Sequence, residues 1–339
     1  MTNRLREAVA AFTFEKNSMK AKQLKKLQHR QAGFTLLELL VVITLIATLA
    51  TAALVAYEGI GENAEASAES NNVTTLDGAI RNFRAVTGSY PDQWDSLVLD
   101  TSAASPASAN IATETQNIIV GLDLSGVTPS TEIRAALDDV GIEELQYANG
   151  TLSATVPPNL AHNEGANGTQ APQYEVKDSD ASAANDVRYI SILPMGTSCN
   201  IAGGAAGSWD DSLNAKNYPD AQAKAFQSII NDELGEAGNG NGCNLIAAFG
   251  FGHDAAHSTT ESSVAIAQAP TFTSANINPA RNYARYIGLF LIGSDDGTAA
   301  NTANTITAAE IRAKAKLIGV ISPEGRVIDQ ALSVAKQAN

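Results

Sequence analysis

Gly33-Phe34-Thr35-Leu36-Leu37-Glu38-Leu39-Leu40-Val41-Val42-Ile43 opens an apolar run that continues to Tyr57. Between Phe34 and Tyr57 the run contains one charged side chain, Glu38, and neither proline nor glycine. At about 1.5 Å of rise per residue, this run forms roughly 36 Å of helix, which is enough to cross a bilayer. A carboxylate in such a helix costs about 2.5–3.5 kcal/mol at the helix centre. Glu38 must therefore either stay hydrated at the interface or meet a partner.

The residues before the run are basic and then small, ending in Gln31-Ala32-Gly33. In a secretory signal peptide, a small-residue cleavage site follows the apolar segment. Here Gly33 precedes the segment, and no Ala-x-Ala-like site follows it. This arrangement resembles the signal of type IV pilins and type II secretion pseudopilins, which a prepilin peptidase cuts after a glycine. An uncleaved membrane anchor is the alternative.

The resemblance implies roles for three residues. Gly33 would be the last residue of the leader, and Phe34 would become the N-methylated terminus of the mature protein. Glu38 would pair with the terminal amine of a neighbouring subunit. Such a pair is physically reasonable, because a carboxylate and an ammonium buried in an apolar core are tolerated only when they meet.

The resemblance also implies an α+β, pilin-like fold, in which a long N-terminal helix packs on a large C-terminal head with an antiparallel β-sheet. Four segments are expected: a leader over 1–33 that is removed, a transmembrane and filament-core helix over 34–57, the amphipathic half of the stem helix over 58–87, and an exported globular αβ head over 88–339.

Charge divides sharply at the end of the leader. The first 33 residues hold eight Lys/Arg against two Glu, so the remainder has a net charge of −20, compared with −14 for the whole chain. A basic segment before an apolar span stays in the cytoplasm by the positive-inside rule. The charge pattern thus predicts a single-pass membrane protein whose head lies across the membrane from the leader. The resemblance implies that this membrane is the inner membrane, that the head is in the periplasm, and that the subunit later enters a cell-surface or periplasmic filament. The acidic head argues against nucleic-acid binding, which needs clustered Lys/Arg.

The second half of the stem shows helical periodicity. Apolar residues recur at steps of three and four, with polar residues between them, at Val73, Leu76, Ile80, Phe83 and Val86. The pattern predicts one helix over 34–87 that ends at Gly88, a favoured residue just beyond a helix C-terminus. Gly59 and Gly61 are its weak point, because each glycine costs about 1 kcal/mol relative to alanine. Local bending or melting is expected there.

The turn after the stem is Gly88-Ser89-Tyr90-Pro91, followed by Trp94. This Gly-x-Tyr-Pro turn resembles that of the major pseudopilins. We expect Tyr90 and Trp94 to pack over the emerging stem while Pro91 fixes the turn. Ligand stacking on this aromatic pair is the alternative.

Beyond this turn the sequence predicts a series of elements in the head. They are a loop over 102–110, a helix over 131–145, an exposed loop over 162–186, a strand over 187–193, a helix over 219–236, a helix cap at Asn278-Pro279, a buried strand over 286–292 and a β-hairpin over 317–328.

Cys199 and Cys243 are the two cysteines, and both lie in the exported part. An even count in an oxidising compartment favours a disulfide. Closing this loop would stabilise the fold by about 4 kcal/mol on the chain-entropy argument. Two buried free thiols is the alternative.

Two short patterns are candidate metal sites. His253 and His257 have the i, i+4 spacing of zinc ligands, but the metalloprotease glutamate is absent and the glycine-rich context favours two loop histidines. Asp295 and Asp296 are candidate calcium ligands, because clustered carboxylates suit calcium and the resemblance implies calcium in a C-terminal region. An Asp-Gly turn is the alternative reading. Of these two metals, calcium is the candidate cofactor.

No nucleophile elbow, phosphate loop, dinucleotide fingerprint or paired CxxC motif occurs in the sequence, so an enzyme is not expected. The resemblance implies a structural subunit of a type IV pilus-like or type II secretion pseudopilus filament. A low-abundance minor pilin with a binding head, serving as adhesin or initiator, is the alternative. The implied partners are prepilin peptidase, other pilin or pseudopilin subunits, the inner-membrane assembly machinery and, before assembly, membrane lipid.

Overall fold

The structure is a computed structural model, and most of the chain beyond the leader is described. The described residues are 35–98, 111–147, 173–177, 186–195, 200–203, 243–279, 282–295 and 305–337. The chain divides between Ile60 and Gly61 into two compact units.

Helix α1 runs Leu36–Thr87 and extends across this division. Its segment Leu36–Val55 has a mean hydropathy of 2.3, and none of it is buried. Among the described residues this is the one helix long and apolar enough to cross a membrane. The helix is continuous through Gly59 and Gly61, so the predicted melting is wrong. Glu58 and Glu62, which are good helix formers, lie on either side of the Gly59-Ile60-Gly61 segment.

The second half of α1 has the predicted apolar stripe. Val73, Leu76, Ile80 and Phe83 are all buried, which confirms the periodicity. Val86 departs from the stripe and is 59% exposed. The helix ends where the sequence predicted, because Gly88 has a φ of +85° and its N–H donates to the Arg84 carbonyl at 2.8 Å.

Ten strands are described in the head. They are β1 Trp94–Ser96, β2 Val120–Asp123, β3 Glu144–Tyr147, β4 Gln173–Glu175, β5 Tyr189–Met195, β6 Asn200–Ile201, β7 Asn244–Gly250, β8 Ile287–Ser294, β9 Thr305–Ile306 and β10 Ile311–Ile321. Eight of them form one sheet in the order β10-β8-β7-β1-β3-β4, with β5 also beside β7 and β2 beside β5. The ladders are antiparallel except β1–β3, which is parallel. The fold is α+β and pilin-like, and its sheet is mixed rather than antiparallel.

Strand β7 is the centre of this sheet. All seven of its residues are buried, so both of its faces are covered. Leu245, Ala247 and Phe249 belong to a core cluster that also contains Val73, Leu76 and Ile80 of α1. Ile246 and Ala248 point to the opposite face and join a second cluster. The stem helix therefore contributes to the core on one side of the sheet.

Five helices are described: α1, α2 Thr113–Gln116, α3 Ser130–Asp138, α4 His253–His257 and α5 Ile328–Gln337. Helix α3 packs against β10. The helix predicted over 131–145 ends early, because Gly141 has a φ of +86° and reverses the chain. Leu145 is buried as predicted, but it lies in β3.

Three further head predictions need correction. The loop predicted over 162–186 contains the strand β4, Gln173–Glu175. Asn278 and Pro279 lie in a turn rather than a helix, closed by Asn282 N donating to the Asn278 carbonyl at 2.8 Å.

The hairpin predicted over 317–328 is also wrong in its second arm. Gly325 has a φ of +76°, and the turn after β10 leads into helix α5. The strands predicted over 187–193 and 286–292 are confirmed as β5 and β8. The helix predicted over 219–236 and the loop predicted over 102–110 lie outside the described residues.

Candidate processing and assembly site

The start of α1 is closed by a reciprocal pair of side-chain hydrogen bonds. Thr35 N and Thr35 Oγ1 each donate to Glu38 Oε2 at 3.0 Å. In return, Glu38 N donates to Thr35 Oγ1 at 3.2 Å. This is a capping box, in which residues at the N-cap and three positions later satisfy each other's free backbone N–H groups. Glu38 therefore stabilises the helix start as well as carrying a charge.

Sequence reasoning missed this role, although its signal is present. Thr35-Leu36-Leu37-Glu38 is the Thr-x-x-Glu pattern that precedes an apolar run at a helix start. The carboxylate is exposed, and both bonds that it accepts reach the same oxygen. The negative charge also lies at the positive end of the helix dipole. The geometry thus fixes the Glu38 carboxylate at the first turn of α1.

Residues 28–54 match the family described as the prokaryotic N-terminal methylation motif. No curated protein and no solved structure matches the chain. The match shows that the chain carries the prepilin-type signal of type IV pilins and pseudopilins, and this signal supports a type IV pilin-like or pseudopilin precursor. The motif implies processing by prepilin peptidase and assembly with other pilins.

The residues of the predicted cleavage, Gly33 and Phe34, lie outside the described residues. Cleavage between them stays a prediction. The single apolar helix at Leu36–Val55 fits a single-pass inner-membrane anchor of the kind that this signal accompanies.

The turn after the stem is a packing element. Tyr90 is 3% exposed, and its ring lies 5.1 Å from that of Phe290, edge to face. Its hydroxyl accepts a hydrogen bond from Leu317 N at 2.8 Å and another from the Arg84 guanidinium. Tyr90 thus joins the end of α1 to strand β10, which confirms the packing role.

Trp94 fills the centre of the same region. Its side chain is fully buried, with ring centroids 5.1 Å from Phe251 and 5.0 Å from Phe290. Its Nε1 donates to the Pro91 carbonyl at 2.5 Å. Because both aromatic rings are buried, neither offers a face on which a ligand could stack.

Asp92 ties this turn to β3. Its Oδ1 accepts hydrogen bonds from Glu143 N and Glu144 N, each at 2.8 Å. Burial raises the pKa of the Asp92 carboxyl to about 6, against the opposing effect of the backbone N–H donors. The group is therefore a source of pH dependence in the head.

The two candidate histidines lie in the short helix α4, so their placement in a loop is wrong. The rings of His253 and His257 are stacked, with centroids 6.2 Å apart. They line a cleft of about 350 Å³ together with Arg285. Within the described ranges, no group of three or more His, Cys, Asp or Glu side chains is placed to hold a metal ion.

The predicted disulfide and calcium site are only partly within the described residues. Cys243 is fully buried just before β7 and is not a free thiol. Its predicted partner, Cys199, lies outside the described residues, so the pairing stays a prediction. Asp295 N donates to the Cys243 carbonyl at 2.9 Å, whereas Asp296 lies outside the described residues. Calcium at these two positions also stays a prediction.

Proposed function

We propose that the protein is a structural subunit of a type IV pilus-like or type II secretion pseudopilus filament. The observation that carries this proposal is the apolar helix that follows the methylation motif. Leu36 is 84% exposed, Leu49 65% and Val55 71%. Burying such surface gains about 25 cal/mol per Å² of apolar area. The helix is therefore stable in lipid before assembly and against other stems after it.

The proposed assembly begins with processing. The basic leader keeps the N-terminus in the cytoplasm while the head crosses the membrane. Prepilin peptidase cuts between Gly33 and Phe34, and Phe34 is then N-methylated. The subunit waits in the inner membrane until the assembly machinery extracts it and packs its stem among those of other subunits.

Glu38 is the docking charge in this scheme. Packed among apolar stems, its carboxylate would cost several kcal/mol unless a cationic group met it. The Phe34 ammonium of a neighbouring subunit supplies that group. The capping box supports this role, because it orients the carboxylate at the helix start where that ammonium would arrive.

A minor pilin with a binding head is the second candidate. The size of the head, residues 88–339, favours it, since a repeated shaft subunit needs less. Counting copies per filament separates the two roles: many copies along the shaft support the structural subunit, and a few copies at one end support the adhesin or initiator.

Three substitutions separate the charge of Glu38 from its capping role. Glu38→Gln removes the charge but keeps an oxygen that can accept both Thr35 hydrogen bonds. Thr35→Ala removes the hydroxyl and keeps the charge. Glu38→Ala removes both. We expect all three to be processed and to reach the membrane, because the two Glu38 variants make the helix more apolar and Thr35→Ala leaves its charge unchanged.

The measurement is filament yield relative to the processed membrane pool. If the charge docks the subunit, Glu38→Gln and Glu38→Ala lose filaments, whereas Thr35→Ala keeps most of them. The docking role fails if Glu38→Gln assembles like the wild type. The processing step has its own test, since Gly33→Ala should slow or block maturation. Unchanged maturation at the same bond would contradict the assignment of Gly33 as the last residue of the leader.

A further inference from the structure

A cleft in the head unit lies between the second half of α1 and the turn that follows β10. Its volume is about 290 Å³, and Glu65, Glu69, Glu324 and Arg326 are among its lining residues, with a loop over 272–276. Arg326 bridges two of the carboxylates, at 3.2 Å to Glu69 Oε2 and 2.7 Å to Glu324 Oε2.

The charges of this cleft do not balance. Two buried carboxylates share one guanidinium, which leaves one negative charge, and the exposed Glu65 adds another. The Glu69 side chain is only 2% exposed, and its Oε1 has no hydrogen-bond partner among the described residues. Burial raises the pKa of Glu69, in opposition to the Ser322 hydroxyl and Arg326. A buried carboxylate oxygen without a donor is costly, so the cleft favours a further cationic group.

Strand β10 has two exposed basic residues where its pairing with β8 is irregular. Ile311 pairs with Gly293 and Lys316 with Leu291, so the residues between them form a bulge against β8. Arg312 and Lys314 are both exposed on this bulge. Ala313 between them is exposed as well, so this bulge faces solvent. In the described part of the sheet β10 is an edge strand.

The cleft and the bulge lie at opposite ends of β10. Glu324 and Arg326 follow the last strand residue closely, whereas the bulge lies near the first. Residues 315–321 separate them by roughly 20 Å at about 3.3 Å per residue. A side chain on the bulge therefore cannot reach the cleft of its own molecule. Contact between unlike ends of identical subunits forms an open filament when the rotation between neighbours does not close a ring.

We propose that the cleft receives the basic bulge of a second copy of this chain, with Lys314 and Arg312 approaching the exposed Glu65 and the uncompensated negative charge of Glu69 and Glu324 behind it. The proposal rests on the proposed filament function and names one contact between its subunits. Charge complementarity supports it, because the chain beyond the leader has a net charge of −20 and this bulge is a local cationic patch. Basic residues and bulges also protect edge strands from pairing. Edge protection alone is the competing outcome.

Charge reversal in the full-length chain tests the contact. Lys314 and Glu65 are both exposed, so neither Lys314→Glu nor Glu65→Lys should unfold the head. Each single reversal is expected to lower filament yield by about tenfold or more, because like charges then face each other. Lys314→Glu combined with Glu65→Lys should restore most of the yield.

Two exposed residues elsewhere serve as matched controls. Lys177→Glu and Glu132→Lys make the same charge changes outside the cleft and the bulge. Lys177→Glu also breaks an exposed ion pair with Asp138, which contributes little to stability, so both controls should leave yield unchanged. A direct test of proximity pairs Glu65→Cys with Lys314→Cys. Oxidised filaments should then give a ladder of covalent multimers, and the Glu65→Cys, Lys177→Cys pair should not.

Three results would overturn the proposal. Single reversals that assemble like the controls would leave edge protection as the role of the bulge. A double reversal that does not restore assembly would show that Lys314 does not pair with Glu65 of a second copy. Loss of wild-type filaments on chelation, with recovery on adding calcium and no effect of Lys314→Glu, would assign the cleft to a metal ion. If the wild type makes no filaments, the proposed function itself fails. The filament yields of the wild type and the Glu38 variants test that function independently of the cleft.

Discussion

Substituting Gly288 by alanine tests whether Trp94 is a rigid packing element. A Cβ at Gly288 would lie 2.8 Å from Trp94 Cζ3 and 3.0 Å from Trp94 Cη2. The indole cannot easily retreat, because Phe251 and Phe290 pack against it and Nε1 is hydrogen-bonded to Pro91. The added methyl group must therefore strain the core.

The expected cost follows from this geometry. Overpacking a well-filled core by one methyl group costs about 1–3 kcal/mol. Trp94→Phe alone should also destabilise by about 1–3 kcal/mol, since it removes apolar area and a hydrogen bond. Phenylalanine has no atoms that correspond to Cζ3 and Cη2. In the Trp94→Phe background, Gly288→Ala should then cost roughly 1–2 kcal/mol less than in the wild type.

Hydrogen exchange of peptides from β8, in detergent-solubilised full-length protein, measures these changes in the free energy of opening. Gly78→Ala is the matched control, because a Cβ there meets no atom within 4 Å. It lies inside α1 and should be neutral or stabilising by up to about 1 kcal/mol. If the changes in the free energy of opening for Gly288→Ala and Trp94→Phe are additive, the added methyl group does not clash with the indole. The packing argument would then be wrong.

Three further predictions concern the turn and the cysteines. Tyr90→Phe should destabilise the head by about 1–3 kcal/mol, measured by faster exchange at the Leu317 amide, because that amide loses its acceptor; unchanged exchange would contradict this. The Asp92 carboxyl has a folded pKa of about 6 against an ordinary 3.8, so the native state binds more protons and wild-type stability should fall as pH rises from about 4 to about 6. Asp92→Asn should flatten that dependence and raise the free energy of unfolding by about 1–3 kcal/mol at pH 7. Urea midpoints of the wild type and the variant, at about pH 4 and at pH 7, measure this change, and parallel pH profiles of the two proteins would refute it. Cys199→Ser and Cys243→Ser should each cost about 4 kcal/mol through loss of one disulfide, and labelling of both thiols in unreduced, unfolded wild type would exclude that bond.

The stem could be predicted from sequence because its signals are local. A run without proline or glycine specifies the apolar half, and steps of three and four specify the buried stripe. Gly88 marks the end of the helix through its own backbone preference, and the structure confirms it. The capping box was equally local, since Thr35 and Glu38 lie three residues apart. Its signal overlaps with the interpretation of Glu38 as a docking charge, although one carboxylate can serve both roles.

The head could not be predicted as well, because its sheet joins residues far apart in sequence. Strand β7 was missed altogether, since a short apolar run of this kind fits a strand or a buried helix segment equally. The second arm of the predicted hairpin, residues 326–328, has the composition of a strand, yet tertiary contacts place it in the turn and the first residue of α5. Arg326 is used there for the bridge to Glu69, which no local pattern indicates.

The turn at Tyr90 depends both on its local sequence and on a contact with a residue far along the chain. The sequence supplies the glycine that ends the helix, the proline that fixes the turn and the aromatic ring that covers it. The hydroxyl of that ring finds its donor at Leu317, beside an irregularity in β10 where the register against β8 shifts. A strand amide left unpaired by such a shift would be costly when buried. The stem is thus fixed to the last strand of the sheet by a tyrosine hydroxyl that replaces a missing ladder bond, and removing that one oxygen should loosen the head at β10 while leaving α1 helical.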